Sequence, residues 1–96
     1  MNREKILRTL REHKIDLQKK YPLKSIALFG SYARGEENPE SDIDVMVEFS
    51  EPVGFEFIDL LEELEKKFQE KKVDLISREG IKPHYRPYIE EDAIYV

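Results

Sequence analysis

Ninety-six residues with a formal net charge of −5 suffice for a single domain (1–96) around one core, but leave no length for a second domain that would enclose a substrate. The acidic balance, with Lys and Arg in runs of at most two, argues against direct nucleic-acid binding, which usually needs a basic face. The absence of cysteine excludes disulfides, thiolate metal sites and a thiol nucleophile; no run approaches the roughly 18 to 20 apolar residues of a membrane span, and "MNREKILRTLREHK" has no signal-peptide core, so a cytoplasmic protein without a membrane partner is expected.

The chain alternates between helical and extended patterns. Residues 2 to about 20 suit a helix, with Asn2 as its N-cap and Ile6, Leu7, Leu10 and Leu17 on one broad face. Tyr21 precedes Pro22 and is pushed out of helical geometry, which ends that helix. "KSIALF" (24–29) reads as a short strand. In "IDVMVEF" (43–49), Ile43, Val45, Val47 and Phe49 alternate with Asp44, Met46 and Glu48, as a strand with two unlike faces requires. "FEFIDLLEELEKKFQEK" (55–71) is amphipathic, with Phe57, Leu61, Leu64 and Phe68 at helical spacing. "KVDLIS" (72–77) is a third strand, "KPHYRPYIEED" (82–92) a short helix or turn, and "AIYV" a terminal strand. The expectation is an α/β fold, a small mixed β-sheet with flanking helices.

Chemistry concentrates in "LFGSYARGEENPESDIDVMVEF". Gly30 follows a strand directly, and without a Cβ it lets the backbone turn sharply and approach a ligand. Ser31 then opens "SYAR", where a helical turn would gather a hydroxyl and free backbone N–H groups suited to phosphate. For a lone Gly-Ser, a capped strand-to-helix turn is the commoner explanation. Asp42 and Asp44 lie two apart, so on a strand they share a face and repel unless a cation sits between them; carboxylate oxygens match Mg²⁺. For a bare Asp-x-Asp, a turn is again the commoner explanation.

Together these elements are more specific than either alone. At average usages near 6% each, Gly-Ser, ten residues, then Asp-x-Asp arises by chance roughly once in a thousand chains of this size. A strand must also precede the glycine and another follow the aspartates, and both are present. Asp74 adds a third carboxylate inside the apolar "VDLIS". An unpaired carboxylate there is costly, so it either faces water at an edge, pairs with Lys72, or serves the site. Arg34 lies one turn past Ser31, where it can neutralise phosphate or pair with Glu36 or Glu37.

The spacing resembles the nucleotidyltransferase superfamily signature, the fold of the DNA polymerase beta palm. From "ALFGSYARGEENPESDIDVMVEF" through "KKVDLIS" to "IEEDAIYV" the chain resembles the minimal nucleotidyltransferase (MNT) antitoxins of HEPN/MNT toxin–antitoxin pairs. That resemblance implies a polymerase beta palm-like fold and a metal site of Asp42, Asp44 and Asp74 holding two Mg²⁺ ions, or Mn²⁺. It implies that Gly30 and Ser31, with Arg34, bind the nucleotide. It further implies transfer of AMP from ATP to a hydroxyl, of the tyrosine class, on a HEPN-domain ribonuclease toxin, and hence a homo- or hetero-oligomer. The competing class is a binding module that neutralises its partner by complex formation alone. Modification of an enclosed small molecule is disfavoured by the lack of a covering domain.

His13 and His84 stand far apart with no ligand spacing and are not expected to bind metal. Tyr85, Tyr88, Ile89, Ile94 and Tyr95 crowd the C-terminal segment; Ile94 suits core closure, and Tyr85 and Tyr88 suit contact with a partner.

Overall fold

The computed structural model describes all residues, 1–96. Helix α1 (Arg3–Lys20) begins where the Asn2 side chain accepts the N–H of Lys5 at 3.0 Å, which satisfies one of the free amides of the first turn. It ends at Tyr21, whose φ of −130° and ψ of 148° are extended, as the following Pro22 dictates. Ile6, Leu7, Leu10 and Leu17 are its buried residues, and α1 lies against strand β1 (Leu23–Phe29).

The chain next forms helix α2 (Gly30–Arg34), strand β2 (Ile43–Phe49), helix α3 (Glu56–Lys67) and strand β3 (Val73–Ser77). A 3-10 turn (Arg78–Gly80), helix α4 (Arg86–Asp92) and strand β4 (Ile94–Tyr95) complete it. The four strands form one sheet in the order β3-β2-β1-β4, in which β1 runs antiparallel to both β2 and β4, while β2 and β3 are parallel. The parallel pair β2 and β3 is bridged by the α3 crossover, as parallel neighbours require. The antiparallel β1 and β2 are joined through α2, and β4 returns from the end of the chain to the free edge of β1.

Eighteen buried residues form the core, drawn from α1, β1, α2, β2, α3 and β3 and from Tyr21 and Phe68, which cap α1 and α3. Removing each fully buried Leu or Ile from water contributes about 1.5–3 kcal/mol. Ile94 packs against this cluster from its edge, as its sequence position suggests, whereas Tyr85 and Tyr88 are exposed.

Two helix boundaries and one buried stripe differ from the sequence expectation. Helix α3 stops at Lys67, four residues early, because Gln69 and Glu70 adopt left-handed φ values of 59° and 65° and reverse the chain into β3. No glycine marks that reversal. Such a conformation costs a non-glycine residue roughly 1–2 kcal/mol; the Glu70 N–H donates to the Glu65 carbonyl at 2.7 Å, closing the turn. The buried stripe of α3 is centred on Leu60 and Leu64 and continues to Phe68, while Phe57 and Leu61 are only partly buried. The helical part of 82–92 is confined to α4, with Pro87 in its first turn, where a missing N–H is harmless.

Candidate functional site

Gly30 is the hinge between β1 and α2. Its φ of +78° lies in the left-handed region that side chains disfavour. A Cβ placed there would collide with a carboxylate oxygen of Asp44 and lie 2.9 Å from its Cγ. Two independent constraints therefore select glycine: the turn it makes and the carboxylate it admits. Ser31 follows in the first turn of α2, partly exposed. The short helix is held rigid because Tyr32 and Ala33 are buried in the core. It closes at Gly35, also left-handed at φ +72°, where the Glu36 N–H donates to the Ser31 carbonyl at 2.9 Å.

The segment 36–41 delivers the two aspartates. Asn38 organises its turn: its side-chain oxygen accepts the Glu40 N–H at 2.9 Å and its own N–H donates to the Ser41 hydroxyl at 3.0 Å. Asp42 precedes β2, and the Ile43 N–H then begins the sheet pairing by donating to the Lys72 carbonyl at 3.0 Å. Asp44, the second residue of β2, pairs across the sheet with Phe29 on one side and with Asp74, the second residue of β3, on the other. In-register neighbours project from the same face, about 4.8 Å apart along the sheet. Gly30, Asp44 and Asp74 are thus brought to one end and one face of the sheet by backbone pairing.

Crowding shows in the titration of Asp44. Burial, with the Asp74 carboxylate beside it and Asp42 behind, pushes its pKa up to about 6; the Arg34 charge opposes the shift only weakly. Asp44 and Asp74 stand directly opposite each other on the parallel pair, so a proton or a cation between the two relieves their repulsion. Asp42 is more open and sits 3.8 Å from the Lys72 ammonium. Lys72 therefore pairs with Asp42, not with Asp74, which is exposed. The three carboxylates do not form a ready-made metal cage. An all-oxygen set of this kind fits Mg²⁺ or Mn²⁺, which keep several waters and borrow phosphate oxygens from a substrate.

Arg34 is tethered on two sides. Its Nε donates to Glu36 at 3.0 Å and its Nη1 to Asp92 of α4 at 2.7 Å, contacts that raise its pKa above the usual guanidinium range. Glu36, and not Glu37, takes the local partnership. Asp92 escaped the sequence reading because 58 residues separate it from Arg34 and no local spacing links them. His84 lies against the Tyr85 ring, at 4.1 Å between centroids, with no ligand partner.

The largest hollow, ≈ 550 Å³, is elsewhere: Phe49, Val53, Phe57 and Ser77 line it at the opposite ends of β2 and β3. The aspartates occupy an open shelf, with Asp74 exposed, which offers a small molecule little enclosure and a macromolecular acceptor ready access.

A family model described as Nucleotidyltransferase domain matches residues 10–96. The Methanocaldococcus jannaschii protein MJ1379, whose name provisionally gives it as a protein adenylyltransferase, is 56% identical over 91 residues, spanning 91% of this chain and 90% of its own. The protein adenylyltransferase MntA of Thermococcus cleftensis is 35% identical over 94 residues, spanning 97% and 94%. A solved structure provisionally described as a minimal nucleotidyltransferase superposes with a TM-score of 0.82 at 33% identity, covering 98% of this chain and 95% of that one. Two toxin–antitoxin structures share the fold at lower identity. One, with AMP-PNP, gives a TM-score of 0.71 at 24% identity, over 99% and 72% of the two chains. The other, a tri-AMPylated Shewanella oneidensis HEPN toxin with its MNT antitoxin, gives 0.61 at 22% identity, over 98% and 67%.

Proposed function

We propose, from the premise that the chain belongs to the nucleotidyltransferase domain family, that it transfers AMP from ATP to a tyrosine-class hydroxyl of a HEPN toxin and so acts as an antitoxin. The observation that carries this reading is the Asp44–Asp74 pair lodged against Gly30, on a shelf open to a protein acceptor. The names of its relatives, protein adenylyltransferases, support a protein as acceptor. The likeness to an AMPylated HEPN toxin's antitoxin supports the partner class.

Each residue has a task set by its position. Asp42, Asp44 and Asp74 would hold Mg²⁺, or Mn²⁺ in its place, with ATP. Bound there, the divalent ion supplies charge neutralisation at the attacking and leaving oxygens of an in-line displacement. The turn at Gly30 presents the backbone amides of α2, and the Ser31 hydroxyl donates to the β- and γ-phosphates, where negative charge grows as pyrophosphate departs. Arg34 offsets further phosphate charge. The acceptor hydroxyl attacks the α-phosphorus and the bond to the bridging oxygen breaks. Asp74, the most accessible of the three acids, takes the proton that the hydroxyl gives up.

Labelled ATP, Mg²⁺ and the product of the neighbouring gene provide the test. Label appearing on that partner, with wild type but not with Asp44→Asn, is the expected result. An Asp44→Asn protein that still binds the partner and protects cells from it fully, without transfer, would establish neutralisation by complex formation alone.

A further inference from the structure

Arg34 stands at the edge of the phosphate-facing turn, yet nothing in its own helix fixes its guanidinium. Helix α2 is five residues long and ends at Arg34, so the side chain leaves from a terminal position with its stem free to rotate. Its charge is fixed from outside. Asp92, the last residue of α4, receives Nη1 at 2.7 Å, and Glu36 receives Nε at 3.0 Å. With Nε and Nη1 taken by the two acids, Nη2 has no protein partner.

The two acids differ in what holds them. Glu36 is a neighbour in a surface turn, and its side chain is 66% exposed. Asp92 is 25% exposed and belongs to a helix secured to the sheet. Arg78 donates to Glu90 of α4 at 2.9 Å and lies 3.6 Å from Glu48 of β2, while the Arg86 guanidinium donates to the carbonyls of Arg78 and Ile81. A carboxylate on an anchored helix constrains a long cationic side chain more than one on a turn, since less rotamer freedom remains to be lost on binding.

We infer that Asp92 is a positioning residue: it aims Arg34 so that the unpaired Nη2 edge is presented to the nucleotide's phosphates. The C-terminal segment thereby takes part in nucleotide binding without touching the nucleotide. This rests on the proposed nucleotide role of Arg34. If Asp92 acts only through Arg34, removing it matters only while Arg34 is present. A merely structural clasp between α2 and α4 would run through the same bond, and it would show as a lowered unfolding temperature of the nucleotide-free Asp92→Asn protein in step with its loss of affinity.

The test is the affinity of the intact protein for ATP with Mg²⁺, by isothermal titration calorimetry, for wild type, Asp92→Asn, Asp92→Glu, Arg34→Ala and the double variant Arg34→Ala/Asp92→Asn. Asp92→Asn should weaken binding roughly three- to tenfold, the scale of losing one charge-assisted contact that orients another. Asp92→Glu should recover part of that loss. Arg34→Ala should weaken binding at least as much, and adding Asp92→Asn to it should change nothing further. Equal weakening by Asp92→Asn in both backgrounds, no weakening in the wild-type background, or weakening matched by a lowered unfolding temperature of the nucleotide-free protein overturns the positioning role while leaving the nucleotide site intact. Unchanged affinity of Arg34→Ala, or no binding by wild type, overturns the nucleotide role of Arg34 or of the whole site, and the inference with it.

Discussion

On one face of β2, Ile43, Val45 and Val47 are at most 1% exposed and join the apolar core with Ile26, Leu28, Leu60 and Leu64. On the other face of the same strand, Asp44 is squeezed between Gly30 and Asp74, and Glu48 answers to Lys24, Ser25 and Arg78. Alternate residues, one peptide apart, thus obey opposite rules. The first set gains free energy by leaving water, and any loss there is a loss of stability. In the second set Asp44 and Asp74 hold like charges close together, which costs stability, so that pair points to a ligand that compensates. Substitutions on the two faces should therefore fail in different assays.

The sharpest break between the faces should come from Asp44→Asn and Gly30→Val. Both are expected to reduce AMP transfer below detection, and Asp44→Asn should do so while raising the unfolding temperature at pH 7.5. Gly30→Val must place a branched side chain at a φ of +78° and into the Asp44 carboxylate, so it should lower the unfolding temperature as well. A folded Gly30→Val protein with near-wild-type transfer would reduce the turn to a mere connection. On the core face, Leu28→Ala should cost about 2–5 kcal/mol in denaturant unfolding. Below its new melting temperature it should retain most of its transfer rate; a loss of activity out of proportion to unfolding would show that the two faces are coupled.

Ser31→Ala comes next in size. Removing one hydrogen bond to a charged group costs roughly 1.5–3 kcal/mol, about ten- to a hundredfold in kcat/KM, because the backbone donors of α2 remain. Steady-state transfer measured beside Asp44→Asn tests that order, and equal losses would contradict it.

The smallest effect is a pH dependence carried by Asp44. Its pKa of about 6 in the fold lies above its ordinary value of 3.8, so the folded protein holds a proton there that the unfolded chain releases between those values. The stability associated with that proton is complete below about pH 4, declines as pH rises, and is gone above about pH 6. Wild type and Asp44→Asn should melt together near pH 4 and diverge by pH 7, the variant being the more stable. The upshift given to wild type by Mg²⁺ with ATP should exceed that from ATP alone and should grow as pH rises through 6. Parallel melting curves at all pH values would remove the crowding argument.

Much of the site-bearing face was legible because its signals are local. The limits of β2 followed from strict alternation, and Gly30 and Ser31 from their place directly after a strand. The proximity of Asp74 to Asp44 was legible only through the resemblance, since strand register depends on where α3 stops. That stop was misplaced because Gln69 and Glu70 turn without glycine. Met46 illustrates another limit: alternation assigns it to the polar face, yet it is 2% exposed, since the C-terminal elements cover part of that face. The pairings of Asp42 with Lys72 and of Arg34 with Asp92 were illegible for the same reason. They join segments whose meeting is decided by sheet order, which no short-range periodicity encodes.

The parallel rung that joins Asp44 to Asp74 has a consequence for redesign. Because the separation of these two carboxylates is set by main-chain pairing, it is insulated from the length of the loops at the far end of the sheet. Residues 51–54, between Ser50, which bonds to Pro22, and Phe55, which caps α3, can therefore be exchanged for segments of other length and composition without disturbing the carboxylate shelf. Grafting within 36–41 has no such freedom, since that segment sets the phase in which Asp42 enters the strand.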